Sequence, residues 1–169
     1  MSLTFVLGGA RSGKTSYALA AAENRPATRR VMIATAEALD GEMARRIARH
    51  QAERGADWVT VEAPRDLAGA VGDLVAGEVA VIDCLTLWLT NLMLDGAEPG
   101  PAVAALVEAM RVSPAELFVI SNEVGQGIVP DNALARRFRD EAGWMHQAVA
   151  AAAGCAVMVV AGLPVVLKS

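Results

Sequence analysis

The stretch Gly8-Gly9-Ala10-Arg11-Ser12-Gly13-Lys14-Thr15 constrains this chain more than any other. It has the form G-x-x-x-x-G-K-[ST] of a phosphate-holding loop. The form carries weight only between a strand and a helix, and both are in place. Leu3 to Leu7 (LTFVL) reads as a short buried strand, and the alanine-rich run from Thr15 to Asn24 as a helix. Gly8, Gly9 and Gly13 keep the loop bare, so that backbone N–H groups, with those of Ala10, Arg11 and Ser12, can wrap phosphate oxygens. The helix points its partial positive end at the same anion. Lys14 is placed to carry charge to the β- and γ-phosphates, and Thr15 to offer its hydroxyl to Mg²⁺. The site expected is one for a nucleoside triphosphate.

Strand and helix signals alternate through the rest of the chain. Arg30 to Thr35, Trp58 to Glu62, Val79 to Cys84, Glu116 to Ser121 and Val157 to Ala161 read as strands, with Val165 to Lys168 as a further edge strand. Helices are predicted over Leu39 to Arg54, where Leu39, Met43 and Ile47 recur at four-residue spacing, over Arg65 to Val75, and near Val103 to Met110. A long helix capped by Asp131 runs to about Ala153, with Leu134, Phe138, Met145 and Val149 inward. Asp95 to Pro101 and Asn122 to Pro130 read as loops. Near-continuous apolar strands between helices mean a mainly parallel sheet covered on both faces, in one α/β P-loop domain spanning residues 1–169.

Composition supports a globular chain: 54% of residues are hydrophobic, 20% are charged and the net charge is −4. No basic tract marks a nucleic-acid partner. Cys84 and Cys155 both fall in apolar strands, so a reducing cytoplasm is expected rather than a disulfide framework. The apolar run at the N-terminus is too short for a signal peptide. Residues 148–167 lack charge over a membrane-like length, yet Gly154, Gly162 and Pro164 break them into a helix end, a strand and a turn, so no membrane span is expected. Leu85 to Leu94 is apolar on more than one face, which suits a helix packed between subunits.

Asp83 ends a central strand, where P-loop proteins place an acid that helps hold Mg²⁺, or else caps the helix that follows. His50 lies about 60° round its helix from the core position Ile47, in a row with Arg46 and Arg54. Neighbouring guanidinium groups favour a neutral imidazole, the form a nucleophile or base needs. Pattern alone favours an ordinary surface histidine over a nucleophile. His146, with no charge cluster beside it, reads as a packed or capping residue. Glu123 is placed either to touch substrate or to pair with an arginine.

The motifs GGARSGKT (8–15), IATAEALDGEM (33–43), RIARH (46–50), IDCLTLWLTNL (82–92), SNEVGQGIVP (121–130), ARRFRDEAG (135–143) and AGLP…LK (161–168) occur in order. Together the chain resembles, nearly end to end, the bifunctional adenosylcobinamide kinase/adenosylcobinamide-phosphate guanylyltransferases. The resemblance implies a RecA-type P-loop fold and a homotrimer with sites between subunits. It implies two reactions of cobalamin assembly: phosphorylation of the aminopropanol hydroxyl of adenosylcobinamide, then transfer of GMP from GTP to that phosphate with release of pyrophosphate. GTP and ATP are the implied triphosphates, with Mg²⁺. His50 matches the histidine that carries GMP covalently. Further implied nucleotide contacts are the P-loop, Thr35, Ala36 and Glu37, Gln51, Ala52, Glu53 and Arg54, Glu62, and Asp83. Two positions depart from the pattern: His146 stands where asparagine commonly precedes Gln147, and Val166 where lysine is often found. Without the resemblance, a small-molecule kinase with no covalent intermediate and a P-loop ATPase switch module fit the same residues.

Overall fold

A computed structural model describes residues 2–37 and 57–169. The described strands are β1 (Ser2–Gly8), β2 (Arg29–Ala34), β3 (Trp58–Glu62), β4 (Glu78–Asp83), β5 (Glu116–Asn122), β6 (Cys155–Val160) and β7 (Leu163–Lys168). The helices are α1 (Lys14–Glu23), α2 (Leu67–Gly72), α3 (Leu85–Leu94), α4 (Pro99–Val112) and α5 (Ala133–Ala152). All seven strands form one sheet in the order β3-β2-β4-β5-β1-β6-β7, parallel except for β7, which pairs antiparallel with β6. The predicted helix over Leu39 to Arg54 lies outside the described residues.

Strand periodicity assigns the two faces. Val79 and Val81 of β4, Phe118 and Ile120 of β5, and Val6 of β1 share one cluster with Ala18 and Ala22 of α1. Their neighbours Ala80, Ile82, Leu117, Val119, Leu3 and Phe5 join the cluster made with α2, α3, α4 and α5. Alanines one turn apart let α1 lie close against its face. By the same two-residue alternation, Asp83 and Asn122 fall on the α1 face and Ser121 on the other.

Several expectations need correction. Leu85, Trp88 and Leu89 of α3 are fully or almost fully buried within this chain, and the Trp88 indole N–H donates to the Arg65 carbonyl at 2.7 Å. The buried face of α3 therefore serves the protomer's own core. The helix α4 begins at Pro99, because proline suits a first helical turn, and this shortens the predicted loop. Asn132, not Asp131, caps α5 by accepting from the Ala135 N–H. Leu134 is exposed, while Met145 and Val149 are buried as expected.

The last two strands form a tight hairpin. Val160 pairs with Leu163 across Ala161 and Gly162, whose φ values of 52° and 80° are those of a mirror-image turn matched to strand twist. Its apex docks on the phosphate loop: the Gly162 N–H donates to the Ser12 carbonyl at 2.8 Å. A Cβ on Gly13 would stand 3.2 Å from the Gly162 Cα. Five apolar residues of this hairpin, Val160, Leu163, Val165, Val166 and Leu167, are exposed.

Candidate active site

The C-terminal ends of the parallel strands form one edge, as open α/β sheets place their ligand groups. Register sets its order. Glu62 pairs with Ala34, Ala34 with Asp83, and Gly8 with Asn122, whose strand β5 lies between β4 and β1. At about 4.8 Å per strand, Asp83 sits roughly 10 Å from the axis of β1 and Glu62 about 19 Å.

The phosphate loop begins where β1 ends. Gly13 caps α1 at φ 94° and Arg11 is left-handed at φ 56°, so the chain curls tightly before the helix. A side chain on Gly8 would clash with the Ser12 side chain and meet the Val159 carbonyl at 2.7 Å, whereas one on Gly9 would meet nothing within 4 Å among the described residues. The first glycine thus allows close packing beneath the loop, and the second leaves the space above it open to an anion. Lys14 is buried along its stem, with Nζ donating to the Gly9 carbonyl at 3.0 Å. The Ser12 hydroxyl is buried with no partner among the described residues, a polar atom left over inside the loop.

From the first turn of α1 the Thr15 hydroxyl donates to Asp83 Oδ2 at 3.3 Å. Hydroxyl and carboxylate converge beside the phosphate cradle, a pair of hard oxygen donors that fits Mg²⁺ when phosphate oxygens and water complete the shell. Thr15 and Asp83 would hold such an ion, whose chemistry is to offset charge on the polyphosphate.

Asp83 is held in place by a network centred on Thr35, with Asn91 bonded to it and with Asn122 and Thr86 at the same edge of the sheet. Thr35 is fully buried, and its hydroxyl oxygen accepts from the Cys84 N–H at 2.9 Å and lies within hydrogen-bond reach of the Asp83 and Cys84 carbonyls. Its own carbonyl accepts from Asn91 Nδ2 at 2.9 Å. The Thr35 side chain thus supports the Asp83–Cys84 backbone. Asn122 Nδ2 donates to the Thr86 hydroxyl at 2.8 Å, and Cys84 Sγ lies beside the same hydroxyl. Burial and the Asp83 carboxylate push the Cys84 thiol up, so it stays protonated. The available signal was the set of polar residues Thr86, Thr90 and Asn91 in a mostly apolar helix.

Beyond β2, Ala36 and Glu37 leave the edge on the Asp83 side. The Glu37 carboxylate pairs with Arg65 at 2.6 Å, and the same guanidinium is held by Asp95. Hydrogen bonds to these carboxylates raise the Arg65 pKa and lower that of Asp95. Glu62 is exposed at the end of β3. His50 and Gln51 to Arg54 lie outside the described residues; their segment joins Glu37 to Asp57, and so links β2 to β3.

His146 lies on the opposite face of the sheet. It is buried against Phe5 with its Nε2 2.7 Å from the Ser121 hydroxyl. Burial lowers its pKa, and the Glu123 carboxylate opposes this. A histidine kept neutral in the fold but protonated when unfolded near 6.5 contributes stability above that pH, and this is lost as pH falls toward its lowered folded value. Melting temperature should therefore fall more between pH 6.5 and 5 in the native protein than in His146→Asn; equal slopes would contradict the assignment.

The family model for cobinamide kinase / cobinamide phosphate guanyltransferase matches residues 4–167. The chain belongs to this family. It is accordingly an enzyme of cobalamin biosynthesis with a kinase and a guanylyltransferase activity. The bifunctional adenosylcobalamin biosynthesis protein CobP of Pseudomonas aeruginosa is 48% identical over 167 residues, covering 96% of this chain and 95% of the relative. Its counterpart CobU of Salmonella typhimurium is 38% identical, covering 98% and 99%. Among solved structures, an ATPase from a type III secretion system superposes with a TM-score of 0.58 at 12% identity, covering 93% of this chain and half of that one. The flagellar accessory protein FlaH of Methanocaldococcus jannaschii gives 0.52 at 12% identity, covering 99% and 78%. These two likenesses bear on the fold alone, and the P-loop α/β class agrees with the sequence reading. Among the described residues no helix is long and apolar enough to cross a membrane.

Proposed function

We propose that one triphosphate bed at the β1–β4 edge serves both reactions of this cytoplasmic enzyme, and that GMP transfer passes through His50. The observation that carries this reading is the convergence of Thr15 and Asp83 at 3.3 Å beside a bare, Lys14-bearing loop. In the kinase step the cobinamide hydroxyl oxygen attacks the γ-phosphorus of ATP or GTP and the bond to the β-phosphate oxygen breaks. Lys14 and the loop N–H groups (Gly8 to Thr15) stabilise the leaving diphosphate. In the second reaction a neutral His50 nitrogen attacks the α-phosphorus of GTP, and pyrophosphate leaves against the same cradle. The phosphoryl oxygen of cobinamide phosphate then takes the GMP and the P–N bond breaks, returning the histidine.

The two ends of the bed suit this division. The segment bearing His50, with Gln51, Ala52, Glu53 and Arg54, starts next to Thr35, Ala36 and Glu37 on the Asp83 side and ends at β3, which carries Glu62. These residues are assigned to the nucleoside and α-phosphate end. Assembly as a homotrimer is supported by β7, an edge strand whose six residues are all exposed and mostly apolar.

Incubation with GTP labelled at the α-phosphate, without corrinoid, tests the covalent step. Label retained on denatured protein is expected. Label absent from protein, or inorganic phosphate released instead, would favour a simple kinase or an ATPase switch.

A further inference from the structure

We propose that the loop between β5 and α5, residues 123–130, is the lip on which the corrinoid ring of the acceptor docks, through Val124, Ile128 and Val129. The proposal rests on the kinase reading of the P-loop site and adds the seat of its second substrate. Singly exposed apolar residues are ordinary, but these three fall within six positions, with exposures of 36%, 97% and 62%.

Both ends of the loop are pinned. At its start the Glu123 N–H donates to the carbonyl of Gly8, the first residue of the phosphate loop, at 3.0 Å, and Glu123 Oε1 accepts from the Gly125 N–H. At its end Arg136 Nη1 donates to the Pro130 and Asp131 carbonyls at 2.9 and 2.8 Å. The backbone is thus set, and its apolar side chains reach solvent without collapsing on the core.

Chemistry selects the occupant. Cobinamide has a broad corrin ring whose ring carbons and methyl groups offer apolar ground between its amide arms, and it carries its reactive hydroxyl at the end of one such arm. Phosphoryl transfer needs that hydroxyl in line with the γ-phosphate, within about 3–3.5 Å. The ring must then rest within an arm's length of the phosphate loop. One flank of β1 is closed by the β6–β7 turn against Gly13. The other flank is β5, and the loop that follows it is the apolar ground bonded to Gly8.

The test is the double variant Ile128→Ser/Val129→Ser in the full enzyme, with Ile128→Leu as the apolar control. In the double variant the KM for cobinamide should rise about tenfold or more with kcat at saturation largely kept, because binding common to ground and transition states is lost. The control should hold the native KM. Adduct formation from GTP alone, which needs no corrinoid, should stay at the native level, and so should the sedimentation coefficient. An unchanged KM overturns the proposal, as does a change in sedimentation, which would give the lip to a second copy of the chain. Absence of the adduct in the native enzyme would instead overturn the covalent reading, leaving the KM comparison intact for the kinase step.

Discussion

Replacing Lys14 by alanine should remove both activities, each falling about 10²–10³-fold, the usual loss when an electrostatic contact to developing charge is deleted. The two reactions break different bonds of a triphosphate but release their leaving groups onto the same loop. Lys14 is buried along its stem and its ammonium is held at 3.0 Å from the Gly9 carbonyl, so its charge is already placed over the cradle. Kinase turnover and α-label retention, measured on the same preparation, check the expectation. Near-normal kinase turnover would mean that a second nucleotide site serves the first reaction. A melting temperature close to the native value would show that the loss is one of charge and not of fold.

His50→Asn should abolish the GMP adduct while leaving part of the kinase activity. The amide nitrogen has no usable lone pair for attack at phosphorus, whereas phosphorylation of the hydroxyl needs only the phosphate grip and in-line placement. His146→Asn is the informative control. It removes the chain's only other histidine, a residue sealed behind the sheet against Ser121 and Phe5, on the face away from α1. Mass spectrometry after incubation with GTP should find the adduct in that control and not in His50→Asn. The reverse pattern would falsify the assignment of the nucleophile.

Much of the fold was readable from strand composition. The apolar runs of β1, β4 and β5 are buried on both faces, so each announces itself without alternation. The role of α3 in the core was less legible: it is apolar on more than one face, and nothing local says that the Arg65 backbone closes over Trp88. The loop from Gly8 to Thr15 and Asp83 were legible because phosphate binding demands fixed residue types at fixed spacing. That the Thr35 hydroxyl, just past β2, bonds to the Cys84 backbone was not legible, because it depends on the register between β2 and β4. Asn122 and Thr86 went unnoticed because they meet only when β5 and α3 are brought together, 36 positions apart in sequence.

The hairpin turn at Ala161 and Gly162 makes the phosphate loop something other than a portable cassette. Its floor is the Val159 carbonyl, one wall is Gly162, and one of its carbonyls, that of Ser12, is satisfied from the far end of the chain. Residues 2–15 and 159–169 are therefore a single working part, finished only when β6 and β7 have been made and seated. Transplanting the N-terminal strand, loop and helix into another scaffold would carry the signature and leave behind the backing that shapes it.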